Sequence, residues 1–166
     1  MKVLGRCRWV SFLGLLSACS FHPAPVLLQP VGPVPPESSA GPPARNEGYL
    51  VVYSAWSSFV DLGSVGHHSR YTIRANDQAQ PREIINHADR FDEGPIRLSL
   101  APGSYHVTAR ATHAGRVVVP VVIKPQETTF VYLDGSNPPQ AGDNRLNAVK
   151  LPDGEIVGWA ATGKGN

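Results

Sequence analysis

The 166-residue chain lacks any run of about 20 apolar residues, the length that a permanent membrane-spanning helix ordinarily needs. It has only two cysteines, Cys7 and Cys19. It carries no HExxH, GxSxG, Gly-rich phosphate loop or CxxC spacing, and without the chemistry those arrangements serve the chain reads as non-enzymatic. Its basic surplus is confined to one end. The formal charge is +2, but Lys2, Arg6 and Arg8 lie in the first eight residues, with no acid before Cys19; without them 12 basic residues face 13 acidic ones, a net charge near −1. A nucleic-acid partner needs a basic patch or stripe, and the sequence beyond residue 18 suggests none.

The amino terminus has a recognisable plan instead. A positive end is followed by the apolar stretch Trp9 to Leu16 and then by the small residues Ser17 and Ala18. Positive end, short apolar centre and small residues are the parts of a secretory signal. Leu16-Ser17-Ala18-Cys19 also resembles the bacterial lipobox, in which the cysteine becomes the first residue of the mature protein and its thiol carries diacylglycerol. An ordinary cleavable signal and an uncleaved anchor are the competing readings. Two or more acyl chains hold a protein firmly where one does not, so the resemblance implies a stable membrane anchor at Cys19. Ser20, in place of the aspartate that often marks inner-membrane retention, implies the outer membrane, with the protein facing the periplasm or the cell surface. No cofactor is expected beyond that covalent lipid. Cys7 would leave with the signal and Cys19 would be modified, so no intramolecular disulfide is expected.

From His22 to Asn46 the chain has eight prolines in 25 residues. Proline fixes φ and removes donors, so this stretch is expected to stay out of any sheet and to favour polyproline II. Fully extended it would reach at most about 80 Å. It reads as a tether, with a proline-rich ligand for another protein's groove as the alternative. The expected organisation is a signal over 1–18, a lipidated linker over 19–46, a β-domain over 47–134, and a loop with a short hairpin and frayed tail over 135–166.

After Glu47 the pattern changes to short β-rich runs separated by turn residues, the mark of an all-β sandwich or barrel. Strands are predicted at 49–55, 70–75, 82–86, 96–100, 104–111, 116–123 and 128–133. Ile96, Leu98 and Leu100 alternate with polar residues, as do Tyr105, Val107, Ala109 and Ala111, so each strand has one apolar face. Ala101-Pro102-Gly103 between them predicts a tight turn and a hairpin. Val117 to Ile123 is apolar on both faces and reads as central, although Pro120 argues for an edge or a bulge. A last hairpin is expected to turn at Pro152-Asp153-Gly154.

LAPGSYHVTAR followed by VVVPVVIKPQETTFVYL resembles the PEGA and carboxypeptidase-regulatory-like modules. The resemblance spans about 47–134, is clearest from Pro95 to Leu133, and implies a seven-stranded transthyretin-like sandwich with a non-catalytic attachment role. The chain departs from it at Gln126-Glu127, where a glycine is expected, and at Asn76-Asp77, where the pattern has Asp-Gly.

Candidate contact residues are few. Tyr49 and Tyr53 share a face of the first strand, and Trp56 and Phe59 follow in a Ser-rich stretch without clear period; such aromatics fill a core, stack on sugars or anchor a protein interface. His67 and His68 are adjacent, so on a strand their rings face opposite ways; with His87 or Asp61 they would form a metal site only in an irregular loop. His106 belongs on the polar face of its strand, beside Thr108 and Arg110. Asp89, Asp92 and Glu93, and in a second loop Asp134, Asn137, Asp143 and Asn144, are weak candidates for a calcium site. The function expected is a binding or scaffold module for another envelope protein, with carbohydrate or peptidoglycan as the alternative ligand.

Overall fold

The computed structural model describes residues 26–33, 46–57, 66–87, 94–136, 138 and 147–161. Cys19, Phe59, Asp61, Asp89, Asp92, Glu93, Asn137, Asp143 and Asn144 lie outside them. The described residues form thirteen strands and no α-helix: β1 (Val26–Leu27), β2 (Val31–Gly32), β3 (Gly48–Tyr53), β4 (Trp56–Ser57), β5 (His67–His68), β6 (Tyr71–Ala75), β7 (Arg82–Ile84), β8 (Arg97–Leu100), β9 (Gly103–Ala111), β10 (Gly115–Ile123), β11 (Thr128–Tyr132), β12 (Ala148–Lys150) and β13 (Ile156–Ala160). The seven predicted strands correspond to β3 and β6 to β11, and the C-terminal hairpin to β12 and β13. The chain is all-β.

Two sheets make the body. The larger runs β12-β13-β2-β10-β9-β6-β7, with β1 also on β10; the smaller runs β11-β3-β8; β4 and β5 form a separate ribbon. Alternation along β10 buries Val117, Val119, Val121 and Ile123, and these meet Leu50, Val52 and Val131 of the smaller sheet, all at most 2% exposed. Burying each such side chain contributes about 1.5–3 kcal/mol, so this layer is a substantial part of the driving force. One corner joins the sheets: Ala55 N donates to Arg110 O at 2.8 Å and Thr112 N to Leu133 O at 2.8 Å. At the side, β13 closes over the gap. Gly158 lies so near that a Cβ there would meet Val31 Cγ1 at 2.6 Å and Phe130 O at 3.0 Å.

Two expectations are corrected. The segments 96–100 and 104–111 do not form a hairpin: β8 pairs with β3, whereas β9 pairs with β10 and β6. Alternation is the same for strands that pair edge to edge and for strands that face each other across a core. Here the chain changes sheets at Ala101-Pro102, and Tyr105 Oη bonds back to Ala101 O at 2.8 Å to brace the corner. The linker, too, does not stay out of the sheet. Val26↔Val117, Leu27↔Val118 and Val31↔Val121 pair in parallel. Residues 26–29 and 31–32 are not prolines, so their donors remain, and polyproline II backbone lies close to β geometry.

The same pairing resolves Pro120. Leu28 N donates to Val118 O at 3.3 Å, so Val118 and, two residues on, Pro120 turn their backbone groups towards β1 and β2. The absent donor therefore falls where Gln29-Pro30 interrupts that edge. The β9 ladder, in which Pro120 stands opposite His106, loses nothing, and β10 stays central.

The turn before β11 is of type II form, with Pro125 second, Gln126 third at φ 62°, and Glu127 N on Lys124 O at 3.3 Å. A left-handed conformation costs a residue with a Cβ about 1–2 kcal/mol. Gln126→Gly is therefore expected to raise stability by about 0.5–1 kcal/mol after the greater unfolded-state entropy of glycine is subtracted; urea unfolding checks this, and a loss of stability would contradict the turn assignment.

Candidate functional site: the aromatic face of the smaller sheet

Strand β3 alternates, so Leu50 and Val52 point into the core while Tyr49, Val51 and Tyr53 point out. Strand β11 runs parallel to it with Thr128↔Tyr49, Phe130↔Val51 and Tyr132↔Tyr53, which adds Phe130 and Tyr132 to the outer face. On the other side β8 supplies Arg97 opposite Val51 and Ser99 opposite Tyr49. The Arg97 guanidinium sits 3.7 Å over the Tyr49 ring, a cation–π contact.

The rings form a continuous row. Phe130 and Tyr132 are 6.2 Å apart between centroids; Tyr132 and Tyr53 stack at 5.0 Å, only 7° from parallel. Tyr53 meets His68 edge-on at 5.7 Å, and His68 lies 4.7 Å from Trp56. Trp159 of β13 approaches Tyr132 edge-on at 6.3 Å. Phe130, Tyr53 and Trp159 are half-buried, Tyr132 and His68 are buried at 6% and 4% exposure, and Trp56 at the end of the row is 47% exposed.

A buried polar cluster holds that end of the row. Asn86 Nδ2 donates to Val52 O at 2.7 Å and to Ser54 Oγ at 3.0 Å, and Asn86 Oδ1 accepts from Ile96 N at 3.3 Å. Ser54 Oγ donates to Ser69 O at 2.6 Å. His68 Nδ1 lies 2.6 Å from Ser54 O; a carbonyl only accepts, so Nδ1 carries the hydrogen.

The two predicted histidines thus separate as adjacent strand residues must. His68 is buried between Tyr53 and Trp56, whereas His67 stacks on His87 at 4.4 Å and 20°. Rings stacked face to face do not aim their nitrogens at one ion, and among the described residues no group of three His, Cys, Asp or Glu is placed to hold a metal. His106 is half-buried on the polar face of β9, beside Thr108 and Arg110 as expected. Trp56 belongs to the row. Phe130, Tyr132, Trp159 and Asn86 were not anticipated as part of it; the spacing of Phe130 and Tyr132 puts both on one face, but only the parallel pairing of β3 with β11 brings that face to Tyr53.

The chain matches no family model, no curated protein and no solved structure.

Burial pushes the Tyr132 hydroxyl from its ordinary 10.0 up to about 12, helped by Tyr53 and Asp134 beside it. Burial, then Asp134, also raises Tyr53; burial raises Tyr71 strongly against the opposing Arg82. Each proton is held more tightly in the folded chain than in the unfolded one, so this contribution to stability is complete below pH 10 and is lost as pH rises through 12. An absorbance titration of the tyrosines is expected to show Tyr53, Tyr71 and Tyr132 ionising above the ordinary value of 10.0, together with unfolding; their ionisation at 10 in the folded protein would contradict this packing.

Asn86→Ala leaves Val52 O and Ile96 N without their partner and is expected to cost about 2–3 kcal/mol. Chemical denaturation measures that, and a loss below about 0.5 kcal/mol would show that water replaces the side chain readily.

Proposed function

We propose that this chain is an envelope lipoprotein, anchored by acylated Cys19 in the outer membrane, whose transthyretin-like sandwich is a non-catalytic module for binding another envelope protein. The signal-like amino terminus and the lipobox resemblance support the anchor; two packed β-sheets and the LAPGSYHVTAR stretch support the sandwich type.

The observation that carries the binding role is the aromatic row across the outer face of the smaller sheet. Aromatic side chains with a polar tip offer large contact area at low entropy cost, which is why they anchor protein interfaces. Tyr53 and Tyr132 turn their flat faces to each other and Tyr132 is buried, which leaves the edge of the half-buried Tyr53 for a ligand. Edges suit a partner's apolar side chains and acceptors better than the flat face of a sugar ring. The second reading, a glycan or peptidoglycan module, draws on Trp56 alone, the most exposed ring of the row.

Crosslinking the full-length protein in intact envelopes, with Cys19→Ala as the unanchored control, tests the proposal. A discrete protein is expected to be captured by the anchored form, and Trp56→Ala to reduce capture about tenfold, as loss of one interface anchor does, while the melting temperature stays within about a degree. Retention on peptidoglycan or polysaccharide alone, lost in Trp56→Ala, would replace this reading with the glycan one. Capture indifferent to Trp56 and to Phe130→Ser would remove the aromatic face from the function.

A further inference from the structure

The outer face of the larger sheet has a different chemistry. Thr72 pairs with Thr108, and Thr108 with Val118; one pair further along β9, Arg110 stands opposite Arg116, and Arg70 continues β6 to the same level. Arg70, Arg110 and Arg116 therefore form a row across three strands. Together with Thr72, Thr108 and Glu83 they line an open cleft of about 400 Å³. Arg74, opposite His106, carries the basic face onward.

Like charges directly opposite each other on a sheet are destabilising, and this face does little to offset them. Glu83 is the single acid at the paired positions of β6, β7, β9 and β10 on this side. Its ion pair with Arg70 is long, 3.7 Å, and both side chains are more than 60% exposed, so water screens it. All three guanidinium groups stay in solvent, and the guanidinium fork matches phosphate oxygens two at a time.

The path of the chain says what meets them. Strand β1 begins at Val26, paired with Val117, the residue after Arg116. The chain thus enters the large sheet at the end that carries the arginine row. Cys19 precedes Val26 by seven residues, a reach of at most about 25 Å even fully extended. A domain attached there is held against the bilayer with this end of the sheet nearest to it.

We infer that the Arg70, Arg110 and Arg116 row is a membrane-facing surface that docks on the phosphate groups of anionic lipids beside the anchor. The lipid is a second point of attachment, which orients the sandwich and leaves the aromatic row of the opposite sheet turned away from the bilayer. The short reach rests on acylation at Cys19 as proposed above; the lipid contact itself does not.

The test reads arginine reactivity. The full-length acylated chain is placed in vesicles of phosphatidylcholine, or of phosphatidylcholine with about one-third phosphatidylglycerol, and treated with phenylglyoxal; modification is located by mass spectrometry. In anionic vesicles Arg70, Arg110 and Arg116 are expected to react about tenfold more slowly than in neutral ones, and about 0.5 M salt to restore their rates. Arg97, exposed on the opposite face, is expected to change less than about twofold in either, as a group beyond the reach of the surface does. The triple variant Arg70→Gln/Arg110→Gln/Arg116→Gln removes the like-charge row, so its melting temperature should not fall, and its protection of Arg74 in anionic vesicles should be lost. Equal rates in both vesicle types would overturn the inference, as would slowing by inorganic phosphate in solution that vesicles do not add to. The mass of the amino-terminal peptide reports acylation separately. An unacylated chain that still shows protection with added anionic vesicles would sink the anchor reading and keep this one; an acylated chain without protection would do the reverse.

Discussion

The fold depends on β10 being paired on both edges while carrying a proline. A nine-residue strand at the middle of the larger sheet must meet β9 on one side and the amino-terminal strands on the other, and it must fill the core with Val117, Val119, Val121 and Ile123. Proline at a position facing β9 would break that ladder at its centre. At 120 it faces the edge where β1 and β2 are already interrupted by Gln29-Pro30, so the two irregularities coincide. Further along that same edge Thr129 Oγ1 donates to Val122 O at 2.8 Å.

Because both sheets spend their inner faces on one valine-rich layer, their outer faces are free to differ. The smaller sheet presents rings that lie against one another, and the larger presents guanidinium groups that repel one another. The first arrangement is stabilised by its own contacts, with Asn86 and Ser54 pinning the strand end from below. The second is not: opposed arginines are a local electrostatic cost that the long Arg70–Glu83 pair offsets only in part. The two faces point in opposite directions, so whatever covers one leaves the other open.

Much of the local structure was legible. Short β-rich runs between turn residues located β3 and β6 to β11 within a few residues, with clear alternation in β8 and β9, and Pro152-Asp153-Gly154 marked the turn of the last hairpin. Adjacent His67 and His68 went to opposite sides, as strand geometry requires. What failed was partnership. Ile96 to Leu100 and Tyr105 to Ala111 look like a hairpin because each has an apolar face and a Pro-Gly turn stands between them, yet those faces meet across the core. Proline density likewise hid β1 and β2, since six non-proline residues among the prolines were enough for two short parallel pairings.

By itself the sequence determined which strand residues point inward and where the strands begin and end within a few residues; each of these is encoded within a few consecutive residues. The tertiary structure alone decided that β3 lies beside β11, bringing Phe130 and Tyr132 to Tyr53, and that Arg70, Arg110 and Arg116 share one row. Alternation specifies a side of the sheet but not a neighbour. Neighbours separated by tens of residues are chosen by how the whole set of apolar faces can be buried at once.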